Sequence, residues 1–283
     1  MTLIKDLIEI PEKVQSGDFV LNLSTGLAEA AVKQTGQVIV GNFKTELFDQ
    51  AFRLGRKPFG SQAMNYHFVG DSYQQDFLGS SAKDSFKAMG LEIGSDAVII
   101  KNPLSDETNA MRLSLLPALS KNILHNYRHG NLGGRLFELG QVFKKETSGE
   151  ATEYFEQTHL SMVAWGQELG LWQKDEGRPL VYDLKTSILN LLSNLGIQSV
   201  QVKTPKAEDV PSFMHPAQTG VLFVEGRNIG FFGSLHPGLQ ADWKIRHDVA
   251  LSEINVASLM RGQPKVTKHK SVSKFPVVER DLA

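Results

Sequence analysis

Cysteine is absent from the 283-residue chain. That single absence removes disulfide frameworks, thiolate zinc sites and thiol nucleophiles together, and it fits a reducing compartment. Long apolar runs are missing too: nothing approaches the length needed to cross a bilayer. The N-terminus, MTLIKDLIEIPEKV, carries Lys5, Asp6 and Glu9 within its short apolar stretch, so it reads as neither signal peptide nor anchor. Neither sign of charge is in excess. Thirty basic residues against 31 acidic ones leave a formal net charge of −1, whereas a general polyanion binder is strongly basic; only a local basic patch is compatible with this balance. No repeat, no low-complexity tract and no Gly-rich phosphate loop between a strand and a helix stands out. The expectation is a soluble, cytoplasmic protein with one large domain or two ordinary ones.

What is present is patterned. Phe19, Leu21 and Leu23 alternate within 17–27 as in a short strand, and Leu47, Phe48, Ala51 and Phe52 have helical spacing before Arg56-Lys57-Pro58 closes that segment. Asn65 to Val69 reads as a strand, Asp71 as the cap of the next segment, and Ala97 to Ile100 as another short strand. Ser114 is placed to cap a helix reaching about His129, with Leu115, Leu116, Leu119, Ile123, Leu124 and Tyr127 on one side and Pro117 tolerated in the first turn. After Gly130, Gly133 and Gly134, RLFELGQVF (135–143) alternates as a strand, and His159 to Trp165 is a second. Asp183 to Leu195 has a helical apolar set that Gly196 stops. TGVLFVEGRNIGFFGSLHP (219–237) gives two strands joined through Glu225-Gly226-Arg227-Asn228, and Val249 to Ile254 a further strand. Helices interleaved with locally paired strands indicate an α+β domain rather than a doubly wound parallel sheet.

Several of these elements carry residues that resemble one family in a consistent order. Asn102-Pro103, Met111-Arg112, Ser114-Leu115-Leu116 and Phe137-Glu138-Leu139-Gly140 are similar to the entry into the catalytic-like domain of bacterial phenylalanyl-tRNA synthetase β subunits. Tyr182-Asp183-Leu184-Lys185, His215-Pro216, Gly226, Ile229-Gly230, Gly233 and Leu235-His236-Pro237 continue the order. Lys274-Phe275-Pro276 and Arg280-Asp281-Leu282-Ala283 look like the opening of that family's anticodon-binding domain. No piece is specific alone; their joint order over 97–283 is.

The resemblance implies a class II aminoacyl-tRNA synthetase-like antiparallel sheet flanked by helices, without a reaction centre. It divides the chain into an unassigned segment 1–40, the synthetase-like domain 41–270, and 271–283 as the first strand of a truncated anticodon-binding domain, expected to be a loosely held tail. Upstream editing and magnesium-binding domains are expected to be missing, and Ile10 replaces an acid in the faintly matching Asp6-Leu7-Ile8-Glu9, so no metal is assigned there. It further implies a catalytic α subunit as partner, in an α2β2 ligase that attaches phenylalanine to tRNA. Mg-ATP belongs to the α subunit, and tRNA is reached through the complex. A free-standing paralogue acting as a protein- or RNA-binding regulatory module is the alternative.

The residues independently favour a chain without catalytic, cofactor-binding or metal residues. Phosphate chemistry needs converging cations and Mg²⁺-holding carboxylates, yet Arg135 and Glu138, three apart on one strand, point to opposite faces. His215 and His236, each before a proline, suit turns; His125 and His129 have i, i+4 spacing but no third ligand. Trp165 and Trp172 are expected to pack rather than stack a base, and no nucleophile elbow or triad can be assembled. The resemblance places the 114–129 helix near the subunit interface, which makes Leu116, Leu119, Ile123 and Tyr127 the candidate contact and implies self-association of the isolated chain.

Overall fold

The structure, a computed structural model, describes residues 60–94, 96–148, 151–166, 179–197 and 199–260. The expected strand at 17–27, the helix at 45–52 and the tail at 271–283 lie outside the described residues, as do the limits drawn at 40 and 270.

Seven strands make the main sheet. They are β1 (Ser61–Gln62), β4 (Gly134–Ser148), β5 (Ala151–Trp165), β6 (Val200–Lys203), β7 (Met214–Val224), β8 (Arg227–Leu235) and β9 (Val249–Asn255), in the order β1-β4-β5-β9-β8-β7-β6. All neighbours run antiparallel except β1, which joins β4 in parallel. A small separate ladder pairs β2 (Phe68–Val69) with β3 (Ala110–Met111). Beside the sheet lie α1 (Asp71–Leu78), α2 (Ala82–Ala88), α3 (Leu116–Arg128), α4 (Leu180–Asn194), α5 (Pro237–Asp242) and α6 (Val256–Met260). None is long and apolar enough to cross a membrane.

The two faces of the sheet bury separate cores. On one, Val163, Phe231 and Leu251 meet Phe77 of α1, Phe86 of α2 and Leu116, Leu119 and Ile123 of α3. On the other, Phe137, Met162, Ala250 and Ile254 meet Leu184, Ile188, Leu191 and Leu192 of α4 and Leu259 of α6. The period of two along each strand sends successive side chains to opposite cores, so Leu136 joins the first and Phe137 the second. β9 lies in the middle: residues 159–165 of β5 pair with it on one side and residues 230–234 of β8 on the other.

Local differences from the sequence expectations have simple causes. β4 and β5 run well past 135–143 and 159–165 because their outer halves pair with each other, Lys144 with Phe155 and Glu146 with Glu153, without burying an alternating apolar set. Asp71 is the first residue of α1 rather than its cap; Gly70 precedes it, and the Asp71 amide donates to Asn109 Oδ1 at 2.8 Å. Residues 97–100 make only an isolated bridge at Ile99 rather than a strand. The β7–β8 turn is tighter than the four residues expected. Glu225 and Gly226 alone form it, with φ of 50° and 79°, the positive pair that a two-residue type I′ hairpin requires.

Candidate functional site

On the sheet face toward α3, Glu138 of β4, Ser161 of β5 and Glu253 of β9 are direct cross-strand neighbours. All three are buried. Two carboxylates inside an apolar core are stable only if each is fully paired, and each is.

Arg112, between β3 and α3, answers Glu138. Its Nη1 donates to Glu138 Oε1 at 2.6 Å and its Nε to the Gln141 carbonyl at 2.7 Å. Side-chain exposures of 1% and 3% put this ion pair out of reach of solvent. The other carboxylate oxygen accepts from Asn65 Nδ2 at 2.7 Å, and Asn65 Oδ1 accepts from Asn122 Nδ2 at 3.0 Å. Gly140 makes room for the guanidinium, since a Cβ there would collide with Arg112 Nη2. The network therefore spans β4, the 60–69 segment and α3.

Glu253 serves the start of α3. Its Oε2 accepts the Ser114 hydroxyl at 2.5 Å, and its Oε1 accepts the Leu115 amide at 3.3 Å and faces His159 Nδ1 at 2.7 Å. Ser114 Oγ in turn accepts the Leu116 amide at 3.1 Å. Amides at a helix start lack partners within the helix and carry partial positive charge, so an anion there is stabilising. Ser114 is therefore not the cap that its position suggested: Leu115 occupies that place without a side-chain cap bond, and Ser114, one residue earlier, reaches the Leu116 amide with a carboxylate from 139 residues away behind it. Between the two carboxylates, the Ser161 hydroxyl is buried with no partner.

This arrangement can hold a sheet and a helix together; it cannot take up phosphate. The Arg112 guanidinium is buried and already committed to a carboxylate and a carbonyl. Arg135 points the other way, 3.7 Å from Asp183 of α4, so the opposite orientation expected of Arg135 and Glu138 is what the strand produces. A nucleotide with its magnesium does not fit the residues on this face.

The remaining candidates have local partners. His215 and His236 accept backbone amides two residues on, from Ala217 and Gly238, each at 3.1 Å. His125 and His129 lie with rings 4.2 Å apart at the exposed end of α3, and His129 Nδ1 meets the His125 carbonyl at 2.7 Å. Trp165 is buried and donates to the Asn131 carbonyl at 2.9 Å; Trp172 and Asp6 to Glu9 lie outside the described residues. Among the described residues no group of three or more His, Asp or Glu is placed to hold a metal.

The candidate interface on α3 needs correction. Leu116, Leu119 and Ile123 are completely buried in this chain's own core and present no surface to a partner. Tyr127 is half-buried, its hydroxyl accepting the Arg246 amide at 3.1 Å. An apolar stripe is equally suited to a core or a neighbour, and here the first core takes it. Exposed apolar surface lies instead on Met64, Tyr66 and Phe68, which are 88%, 83% and 46% exposed, with Ile99 and Leu104 also bare. Their spacing of two, with Asn65 turned inward to Glu138, was the available signal.

Comparison with known proteins places these features. A pyrrolysyl tRNA synthetase from Desulfitobacterium hafniense shares the fold over 85% of this chain and 84% of its own, with a TM-score of 0.51 at 15% identity. The α+β architecture is that of the class II aminoacyl-tRNA synthetases. Within that class, the family model for the phenylalanyl tRNA synthetase beta chain CLM domain matches residues 59–256, and the chain belongs to that family. The phenylalanine–tRNA ligase beta subunit of Bdellovibrio bacteriovorus is 43% identical over 223 residues, 78% of this chain and 27% of the relative. That of Carboxydothermus hydrogenoformans is 31% identical over 203 residues, 71% of this chain and 25% of the relative. The chain spans about a quarter of the length of these curated relatives.

Proposed function

We propose that this chain is a non-catalytic module of a phenylalanine–tRNA ligase β subunit. It supports ATP-dependent attachment of phenylalanine to tRNA by assembling with a catalytic α subunit, in an α2β2 complex where the α subunit holds Mg-ATP and tRNA is met by the whole. The observation that carries the reading is the exposure of Met64, Tyr66 and Phe68 within one short segment, because large apolar side chains left bare close together in a chain suit a contact with a partner. The locked Arg112–Glu138 pair supports it from the other direction, since its buried guanidinium is unavailable for phosphate.

Coexpression with the α subunit tests this. The wild-type chain copurifies with α, while Met64→Ser/Tyr66→Ser loses α at an unchanged melting temperature. The isolated chain gives no phenylalanine-dependent pyrophosphate exchange. Exchange by the isolated chain that disappears in Glu138→Gln overturns the non-catalytic assignment. Indifference to α in wild type and variant alike favours a free-standing regulatory module instead.

A further inference from the structure

We propose that His125 and His129, at the exposed end of α3, form an open binding site for a transition-metal dication of the zinc class. His125 lies in the last turn of the helix and His129 is the residue that closes it. Residues four apart stand one above the other on the same side of a helix. Here the two imidazole rings come within 4.2 Å between centroids, tilted by 32°, and both residues are exposed. Tetrahedral zinc with bonds of about 2.0–2.1 Å needs its two nitrogens about 3.3 Å apart. Rings this close reach that separation by turning about their own Cβ–Cγ bonds.

One tautomer is already set. His129 Nδ1 lies 2.7 Å from the His125 carbonyl. A carbonyl only accepts, so Nδ1 carries the ring proton and the Nε2 lone pair of the neutral ring is left for a ligand. Donation of the other ring N–H to a backbone carbonyl is how metal-binding histidines are usually oriented. His215 and His236 show the opposite state: their Nδ1 atoms accept amides, so Nε2 holds the proton and offers a metal no lone pair. The carbonyls of the last turn add partial negative charge at this end of α3, which favours a cation. That dipole accounts for a basic residue here, but not for two rings brought together with one tied in a ligating tautomer. Among the described residues no group of three or more such ligands is assembled, so water completes the shell. Imidazole nitrogen selects Zn²⁺, Ni²⁺ or Cu²⁺ over Mg²⁺ and Ca²⁺, which take oxygen.

The test is a calorimetric titration of the full 283-residue chain with zinc chloride in a buffer that does not bind metal. Wild type is expected to take up a single zinc ion that excess Mg²⁺ does not displace. His125→Gln and His129→Gln are each expected to weaken binding at least about tenfold, no less than the loss of an outer-shell partner does. The double variant should resemble either single one, because one imidazole alone is no chelate. Arg128→Ala removes a like charge beside the site and should bind zinc no less tightly, and His215→Gln should bind as wild type does. Circular dichroism confirms that the variants are folded. The inference is overturned if wild type takes up no zinc, if either single variant at 125 or 129 binds it as wild type does, or if Mg²⁺ displaces it. Two independent sites, each lost with one histidine, would overturn it as well. No α subunit enters the measurement, so its failure leaves the ligase reading untouched.

Discussion

Replacing Arg112 with methionine tests how much of the fold hangs on one buried ion pair. Methionine fills much of the arginine stem but leaves the Glu138 carboxylate, 3% exposed, with only Asn65 as partner. Removing one member of a buried pair costs about 3–5 kcal/mol, because the surviving charge stays desolvated. The Gln141 carbonyl also loses its donor, at about 1 kcal/mol more. A domain of this size has about 5–15 kcal/mol in total, so the variant stands near the edge of unfolding. At about 2–4 °C per kcal/mol, the melting temperature should fall by about 8–24 °C, read by circular dichroism or differential scanning fluorimetry. Arg112→Met/Glu138→Leu removes both charges, and its melting temperature should recover most of that loss, since an apolar replacement of both partners is often neutral. A single variant within about 2 °C of wild type, or a double variant worse than the single, would refute the reasoning. The first result would mean that the carboxylate reaches water or takes up a proton cheaply. The second would mean that the shape of the pair matters more than its charge.

Two further tests address neighbouring groups. Ser114→Ala removes the hydroxyl that links Glu253 to the Leu116 amide and should cost about 1–3 kcal/mol, seen as a lower urea midpoint at unchanged m-value. Burial raises the pKa of Tyr73, its hydrogen bond to Ser120 opposing. For Lys144 burial pulls the other way, but hydrogen bonds and attraction to Glu146 and Glu92 outweigh it and raise the pKa. Both groups therefore hold their protons more tightly when folded, so their contribution is fully present below the ordinary values of 10.0 and 10.5 and is lost as pH climbs through the raised ones. Stability measured from pH 9 to 12 should fall less steeply in Tyr73→Phe/Lys144→Met; an unchanged slope refutes the assignment.

The parts of this fold legible in sequence are those where one face is apolar and the other polar over several turns or pleats. α3, α4 and the inner halves of β4 and β5 meet that condition, as do the strands of the β7–β8 hairpin. KKETS and ATEYFEQ do not, so the outer halves of β4 and β5 were unreadable although their mutual pairing is regular. That Glu138 and Arg135 face opposite ways could be argued from strand geometry, but the partner of Glu138 could not: Arg112 lies 26 residues away, and no spacing rule reaches that far. The α3 stripe misled for a related reason. Periodicity says that Leu116, Leu119 and Ile123 are covered, not by what, and the cover proved to be this chain's own sheet.

The central position of β9 has a consequence for how the chain comes together. The β4–β5 and β7–β8 hairpins are local and can form as soon as their own residues exist, yet no strand of one pairs with a strand of the other. Among the described strands, β9 alone pairs with both hairpins. During synthesis, at about 5–20 residues per second, β5 waits several seconds between its own completion at Trp165 and the arrival of its partner. The same late strand delivers Glu253 to the start of α3. The first long helix of the core and the last strand of the sheet are therefore secured in one event, and a nascent chain that stops short of β9 holds two hairpins with open edges, the form most exposed to mispairing.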